Sequence, residues 1–297
     1  MRIKGIIHMI ELDQKVIGIK TYKKINFFYF QNSQMATFKR YLYQQNWIDV
    51  EYDETKISRK GQYLAYKIDF IYEILAIGKF DKVTYYDKQQ LNKSLLSFLN
   101  NVEKEAMMFL DLEMTMPSYS YKGKGFITEV IQAGLEIIKD KQVVYKYSEY
   151  IKPIKSTITK RAEDFLNISQ EDFYQKAIKY ETFYNDFNQM LYHYNPFIII
   201  YGKNDQLVLN NSYRIHSVKS LEDRTRYINL CQLIKNFYEL RNDPGLFKIY
   251  QIYYHIDENQ IHDALDDATV TYEVFKAFKE DVKTSKYKNI IRETFNK

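Results

Sequence analysis

The chain is poor in the residues and segments that define several common protein classes. Its 297 residues include one cysteine, Cys231, which excludes a disulfide framework and a thiolate zinc site. No apolar run approaches the roughly 20 residues that span a bilayer, so we expect no membrane partner. The opening "MRIKGIIHMIELD" reaches an acidic residue too early for a signal peptide, and we expect a cytoplasmic protein. The 45% hydrophobic content is ample for a packed core.

The net charge of +5 is unevenly distributed along the chain. Residues 1–100 contain 16 Lys/Arg against 10 Asp/Glu, whereas the remaining residues contain 27 against 28. A basic excess confined to the N-terminal third suggests a module that binds a polyanion. A solvated, lysine-rich surface is the alternative explanation.

The first hundred residues have the pattern of short β-strands. The runs "RIKGIIHMIEL", "KVIGIKTY" and "INFFYF" precede "NSQMATFKRYLYQ", which has helical spacing, and alternation returns in "WIDVEYD" and "YLAYKIDFIYEI". Three strands, a helix and two strands is the order of a small OB-type β-barrel. We place this domain at residues 1–78, where it resembles cold-shock and S1-like OB domains in pattern. We predict that residues 79–105 form a helical connector between the domains.

The run "INFFYF" carries aromatic side chains on both faces of its strand. Because side chains alternate along a strand, Phe27 and Tyr29 share one face, whereas Phe28 and Phe30 share the other. One pair should fill the barrel core, while the other could form a platform on which bases stack. The alternative is that both faces are covered. We expect the nucleic-acid contacts of this domain to come from Lys23, Lys24, Phe28 and Phe30.

From Ala106 onwards the chain alternates strand and helix patterns. "AMMFLDLEM", "ITEVIQAGLEII" and "QVVYKYSEYI" predict three consecutive strands, and residues 169–194 predict one long amphipathic helix capped by Ser169. "PFIIIYG" is a short apolar run, typical of a strand covered on both faces, and helical patterns follow. This order predicts a mixed α/β domain over residues 106–297, with a sheet core.

Acidic side chains occupy three informative positions in this second region. In "FLDLEM", Asp111 and Glu113 point the same way, and two such carboxylates resist ionising unless a cation lies between them. Asp205 in "YGKND" opens a helix just beyond a buried strand, where a helix cap is the alternative. In "IHDALDDA", Asp267 follows His262 by five residues, or about 140° of helix rotation, so both reach one site only if His262 precedes the helix.

The order of these residues matches a known family. The chain from about residue 106 to 280 resembles the DEDDh 3′–5′ exonucleases, the DnaQ-like branch of the RNase H-like fold. "DLEMT" is similar to the first motif, and "ITEVIQAGLEI" to the family's second strand. "YGKND" resembles the second motif of the KapD-like, RNA-processing subgroup, and "HDALDDA" the third motif. Tyr201, where Trp or His is common, and Met114, where a smaller residue is usual, depart from the pattern.

The resemblance implies an α/β fold with an RNase H-like mixed sheet flanked by helices. It implies a two-metal site in which Asp111 bridges both Mg²⁺ or Mn²⁺ ions, since hard cations prefer oxygen ligands. His262 would be the general base on the attacking water, and Met114 and Thr115 would contact nucleic acid. The implied catalytic residues are Asp111, Glu113, Asp205, His262 and Asp267, and the implied metal ligands are the four carboxylates among them.

The resemblance also implies a substrate. It is single-stranded nucleic acid hydrolysed from the 3′ end, and the second motif together with a basic OB-type domain favours RNA over DNA. Two alternatives remain: a catalytically silent nucleic-acid-binding protein on a nuclease fold, and a regulatory scaffold whose barrel contacts a protein partner.

Overall fold

The structure, a computed structural model, describes residues 1–22, 24–77, 82–123, 125–257 and 262–296. The chain divides into two compact units, Met1–Leu95 and Leu96–Lys297. The strands are β1 (Arg2–Glu11), β2 (Val16–Lys20), β3 (Ile25–Tyr29), β4 (Trp47–Lys60), β5 (Tyr63–Ile77), β6 (Lys82–Asp87), β7 (Met107–Met114), β8 (Val130–Lys139), β9 (Gln142–Tyr150), β10 (Phe197–Ile200) and β11 (Arg226–Asn229). The α-helices are α1 (Asn32–Phe38), α2 (Lys88–Val102), α3 (Lys160–Leu166), α4 (Gln170–Lys176), α5 (Tyr180–Tyr194), α6 (Asn204–Ile215), α7 (Leu230–Tyr238), α8 (Leu246–Tyr254), α9 (Ala264–Thr284) and α10 (Lys288–Phe295). Within the described ranges we find no helix with the length and apolar character that a bilayer span requires.

The first unit is built around a closed β-barrel of five strands. β1 pairs antiparallel with β2 and β4, β2 with β3, and β4 with β5. Parallel pairing of Phe28 with Tyr66 joins β3 to β5 and closes the ring. The strand order is therefore β1-β2-β3-β5-β4, with α1 between β3 and β4. This is the OB-type arrangement that the sequence predicts.

The barrel core takes the pair of aromatic side chains that we expected at the surface. Phe28 is 0% exposed and Phe30 is 2% exposed, and both pack with the inward residues of the other strands. Phe38 of α1 joins the same core, so the inner face of β3 is fully covered. The prediction that Phe28 and Phe30 stack nucleic-acid bases is therefore wrong. Phe27 and Tyr29 lie half-buried on the outer face instead.

The segment predicted as a helical connector begins with a strand. β6, "KVTYYD", pairs antiparallel with the last part of β5 and extends the barrel sheet. Its β-branched and aromatic residues favour this extended conformation. Helix begins only at Lys88, with α2, so the helical part of 79–105 is shorter than expected. Residues 79–81 lie outside the described part of the chain.

The second unit contains a five-stranded mixed sheet in the order β11-β10-β7-β8-β9. β7, β10 and β11 are mutually parallel, whereas β8 runs antiparallel to β7 and to β9. This is the mixed α/β sheet expected from the sequence. The long helix predicted over 169–194 is instead α4 followed by α5. Between them, Ile178 forms a β-bridge with Ile151, which interrupts the helical hydrogen bonding.

Helices cover both faces of this sheet. The ring of Phe109 on β7 lies 5.6 Å from the ring of Phe275 on α9, so this face of β7 packs against α9. Leu110 points the other way, into a core shared with α5 and α6. Because side chains alternate along a strand, Asp111 and Glu113 lie on the same face as Phe109. The two carboxylates of β7 are thus directed towards α9.

Candidate active site

The first two acidic motifs meet where β7 and β10 run side by side. β10 ends at Ile200, and Gly202, with φ +116°, turns the chain into α6. Only glycine readily adopts this backbone conformation. Asp205 lies in the first turn of α6, and its Oδ1 accepts a 3.1 Å hydrogen bond from the backbone N–H of Leu112. Lys203, not Asp205, occupies the N-cap, and the hydrogen bond from Leu112 ties Asp205 to β7.

The third motif comes from the start of α9. Asp263 is the N-cap residue, and its side chain accepts hydrogen bonds from the backbone of Leu265 and Asp266. It also accepts a 2.7 Å hydrogen bond from Nε2 of Gln132 on β8, which fixes the helix start to the sheet. His262 precedes the helix, as the spacing predicts, and Asp267 lies in its first turn.

These elements bring three sequence-predicted residues into one cluster. Ligand atoms of Glu113, His262 and Asp267 all lie within 4.8 Å of one another. Asp111 and Asp205 adjoin the cluster, because the charges of Asp205, Glu113 and Asp267 all act on Asp111. The structure therefore gathers all five predicted catalytic residues, which stand up to 156 positions apart in the sequence, from Asp111 to Asp267.

A glycine on β8 permits this convergence. Gly134 pairs with Asp111 in the sheet register. A Cβ atom on Gly134 would lie 2.1 Å from both the carbonyl carbon of Ala264 and the backbone nitrogen of Leu265. The first turn of α9 therefore packs directly on the backbone of β8. Any larger residue at 134 would have to push the helix away, and Asp267 with it.

Burial and mutual repulsion disfavour the charged form of these carboxyl groups. Burial, followed by the charges of Asp205 and Glu113, raises the pKa of Asp111 well above its usual value. Burial, followed by the charge of Asp267, raises the pKa of Glu113 to about 7. Burial raises the pKa of Asp205 to about 6, although the Leu112 N–H opposes this shift. A cluster of this kind is stabilised in its ionised form by a bound cation.

The donor atoms of the cluster fit a hard divalent cation. Carboxylate oxygens dominate the site, and such ligands suit Mg²⁺ or Mn²⁺ rather than a thiolate-seeking metal. The only cysteine, Cys231, is buried and its sulfur faces the carbonyl oxygen of Pro244. The four carboxylates together offer enough oxygen ligands and leave positions for water and a phosphate.

Sequence reasoning missed one side chain that touches the site. The ring of Phe165, on α3, stacks on the ring of His262 with the ring centroids 4.1 Å apart. Burial lowers the pKa of His262, so its neutral form is favoured near pH 7. No sequence signal links residues 97 positions apart, and only the fold brings them together.

The other predicted nucleic-acid contacts have mixed outcomes. Thr115 is 1% exposed, and its hydroxyl accepts a 3.0 Å hydrogen bond from the N–H of Glu129, so it has almost no surface for a substrate. The predicted contact of Thr115 is therefore not supported. Met114 is half-buried at the end of β7, and its contact stays a prediction. Lys24 is exposed in the barrel unit, whereas Lys23 lies outside the described residues.

Comparison with known proteins places this site in a family. The family model described as Exonuclease matches residues 108–275, more than half of the chain. A curated relative, the probable 3′-5′ exonuclease KapD of Bacillus subtilis (strain 168), is 31% identical over 177 residues, which cover 59% of this chain and 85% of the relative.

Solved structures share the fold of the second unit. A 3′-exonuclease described in 3′-end specific recognition of a histone mRNA stem-loop aligns with a TM-score of 0.51 at 13% identity, over 66% of this chain and 71% of that one. Cell-death related nuclease 4 aligns with a TM-score of 0.50 at 18% identity, over 61% of this chain and 65% of its own.

The mixed sheet with its four carboxylates and one histidine fits a nuclease of this family. The chain belongs to the exonuclease family, and within it to the KapD-like 3′–5′ exonucleases.

Proposed function

We propose that this 3′–5′ exonuclease hydrolyses single-stranded nucleic acid with two divalent cations and acts on RNA in preference to DNA. The observation that carries the proposal is the cluster of Glu113, His262 and Asp267 within 4.8 Å, beside Asp111 and Asp205. Carboxylates that can hold divalent cations and a histidine that can accept a proton suit metal-dependent hydrolysis of a phosphodiester.

Each member of the cluster has a role that follows from its chemistry. Asp111, Glu113, Asp205 and Asp267 would hold the cations. When bound, these cations neutralise the charge on the phosphate and make the attacking water more acidic. His262 accepts the proton of that water, since burial keeps its imidazole neutral and ready to act as a base. The hydrogen bond from the Leu112 N–H holds the Asp205 carboxylate in place.

The outer face of the barrel supports the single-strand proposal. The rings of Phe27 and Tyr63 lie 4.8 Å apart, and Nζ of Lys60 lies 4.5 Å from the ring centre of Tyr29. Aromatic rings flanked by lysine suit stacked bases and their phosphates. OB-type barrels use such faces for oligonucleotides. This surface replaces Phe28 and Phe30 as the proposed contact of the barrel.

The preference for RNA rests on two features of the chain. The second motif, "YGKND", resembles that of the RNA-processing subgroup, and the barrel provides a surface suited to a flexible strand.

The expected cytoplasmic location stays a prediction, which cell fractionation would test.

Degradation of matched single-stranded RNA and DNA oligonucleotides tests the proposal. Each strand carries a label at its 5′ end and is incubated with Mg²⁺, Mn²⁺ or EDTA. We expect a ladder that shortens from the 3′ end only with a metal, and a higher kcat/KM for RNA. Higher efficiency on DNA would overturn the sugar preference. Intact strands with every metal would favour a silent binding protein.

A further inference from the structure

The helix that carries Phe165 extends the active-site surface away from the carboxylates. Arg161 and Phe165 stand four residues apart on α3, so they are neighbours on one helix face, about 5–6 Å apart between Cβ atoms. Phe165 stacks on His262 at one end of this face. Arg161 therefore lies one helical turn from Phe165, the residue that stacks on His262. Ala162 and Leu166, the next residues along the helix, are buried in a small apolar core against which Phe165 also packs.

At its other end, this helix face meets the segment that connects β7 to β8. The guanidinium carbon of Arg161 lies 5.9 Å from the ring centre of Tyr119, a distance at which cation and ring attract. The Tyr119 hydroxyl donates to Oδ2 of Asp164 at 3.4 Å, and the hydroxyl of Thr159 donates to the carbonyl oxygen of Met116 at 3.1 Å. These contacts hold the β7–β8 segment against α3.

Among the described residues, Arg161 has no acidic partner. Within the described part of the chain it forms no ion pair, whereas its neighbour Lys160 lies 3.0 Å from Asp164 and 3.5 Å from Glu163. Both carboxylates of α3 are thus already paired with Lys160. Arg161 keeps its planar set of N–H donors, which match phosphate oxygens in geometry and charge.

Tyr119 supplies the second element of a nucleotide site. Its side chain is 71% exposed, although large aromatic side chains are costly to leave in water. Its ring lies beside the Arg161 guanidinium, and its hydroxyl donates to Asp164. An exposed ring beside an arginine is suited to stack a base while the guanidinium binds the adjoining phosphate.

We propose that Arg161 and Tyr119 form a nucleotide-binding subsite for the strand next to the reactive centre. Arg161 binds a backbone phosphate, and the ring of Tyr119 stacks on a base. The ligand is a nucleotide of a single strand, read by its charge and π-face rather than by its base identity. This inference rests on the proposed function, because it assumes that a strand reaches His262.

The test measures binding separately from cleavage. Fluorescence anisotropy follows a fluorescein-labelled oligouridylate of about ten nucleotides, within the usual site sizes for single strands, on full-length Asp111→Asn protein at a series of KCl concentrations. Arg161→Ala should reduce the slope of log Kd against log [KCl] by about 0.7, which corresponds to one lost phosphate contact on a single strand.

Tyr119 is tested in the same background. Tyr119→Ala should weaken binding by about fivefold or more with an unchanged salt slope, as expected for one lost stacked base. Tyr119→Phe should retain the affinity, because it keeps the ring. Arg214→Ala and Tyr192→Ala are the matched controls, since both residues are exposed elsewhere on the same unit, and both should bind like the parent.

Each outcome decides one claim. An unchanged salt slope in Arg161→Ala, or unchanged affinity in Tyr119→Ala, overturns the subsite. Cleavage is measured in parallel with Asp111 intact and Mn²⁺ present. If neither Arg161→Ala nor Tyr119→Ala changes binding while the wild type still degrades the strand, only the subsite is rejected. A wild type that cuts no strand rejects the proposed function, and the binding data still decide the subsite.

Discussion

The ring of Phe165 stacks on the ring of His262, with 4.1 Å between centroids and 24° between planes. His262 stands outside α9, before the N-cap, so the helix itself does not fix its orientation. The stacking contact supplies that orientation from a different element, α3. We therefore expect Phe165 to position the proposed general base.

Replacement of Phe165 should slow the chemical step more than it weakens substrate binding. We expect Phe165→Leu to lower kcat by about tenfold or more, since small displacements of a catalytic group are costly. KM should change little. Phe165→Tyr should restore most of the rate, because it keeps the aromatic face. Steady-state kinetics on a labelled strand measures both constants, and equal rates for Leu and Phe at this position would refute the positioning role.

Replacement of Gly134 should reduce cleavage as strongly as replacement of a metal ligand, although glycine carries no functional group. Gly134→Ala places a methyl group against the backbone of Ala264, so α9 must shift and carry Asp267 away from Glu113. We expect cleavage to fall by about a hundredfold, consistent with a displacement near 1 Å, and the Mn²⁺ affinity to fall with it.

The control for this change is Gly245→Ala. A Cβ atom on Gly245 would meet nothing within 4 Å, and its φ of −66° suits alanine. Cleavage and thermal stability should stay close to wild type. Full activity in Gly134→Ala would show that α9 can retreat without disturbing the site.

Replacement of Asp111 or His262, the two residues assigned the largest roles, should abolish cleavage without unfolding the protein. Asp111→Ala removes a carboxylate that the proposed site requires, and His262→Ala removes the base, which typically contributes about 10²–10⁴-fold. His193→Ala and Asp223→Ala are controls on exposed residues of the same unit. Circular dichroism checks the fold and the gel assay checks cleavage. Normal cleavage by either active-site variant would defeat its assignment.

The stability of the metal-free protein should depend on pH through the carboxyl cluster. The pKa of Glu113 rises from its ordinary 4.5 to about 7 on folding, and the pKa of Asp205 rises from 3.8 to about 6. The folded state thus favours the protonated groups, so this stabilisation is present at low pH and is lost as pH rises through 6 to 7.

Thermal unfolding in EDTA measures this effect. We expect a lower Tm at pH 8 than at pH 5.5, and a smaller difference in Glu113→Gln, which cannot ionise. Mn²⁺ should raise the Tm more at pH 8, since the ionised carboxylates bind it. A Tm in EDTA that rises from pH 5.5 to pH 8 and is unaffected by Glu113→Gln would contradict the assigned shifts.

Much of the second unit can be predicted from sequence because its signals are local. The apolar run before Gly202 marks a buried strand, and the alternation in "FLDLEM" places Asp111 and Glu113 on one face. The five-residue spacing from His262 to Asp267 requires the histidine to precede the helix, and it does. Each of these inferences depends on a few neighbouring residues and a known period.

The predictions from sequence were wrong where tertiary packing determines the conformation or the burial of a residue. Phe28 and Phe27 are chemically alike, and only the closure of the barrel determines which of them lies inside. The break between α4 and α5 follows from the bridge of Ile178 to Ile151, a contact across 27 residues. The stacking of Phe165 on His262 is likewise invisible to any periodic pattern.

The proposed reaction depends on divalent cations held by the clustered carboxylates. Calorimetric titration of Mn²⁺ into the metal-free wild type and into Asp111→Asn measures this binding. We expect about two ions per wild-type chain, as in two-metal phosphodiester hydrolases, and a marked loss of affinity in the variant. Absence of Mn²⁺ binding, or equal binding by both proteins, would contradict the proposal.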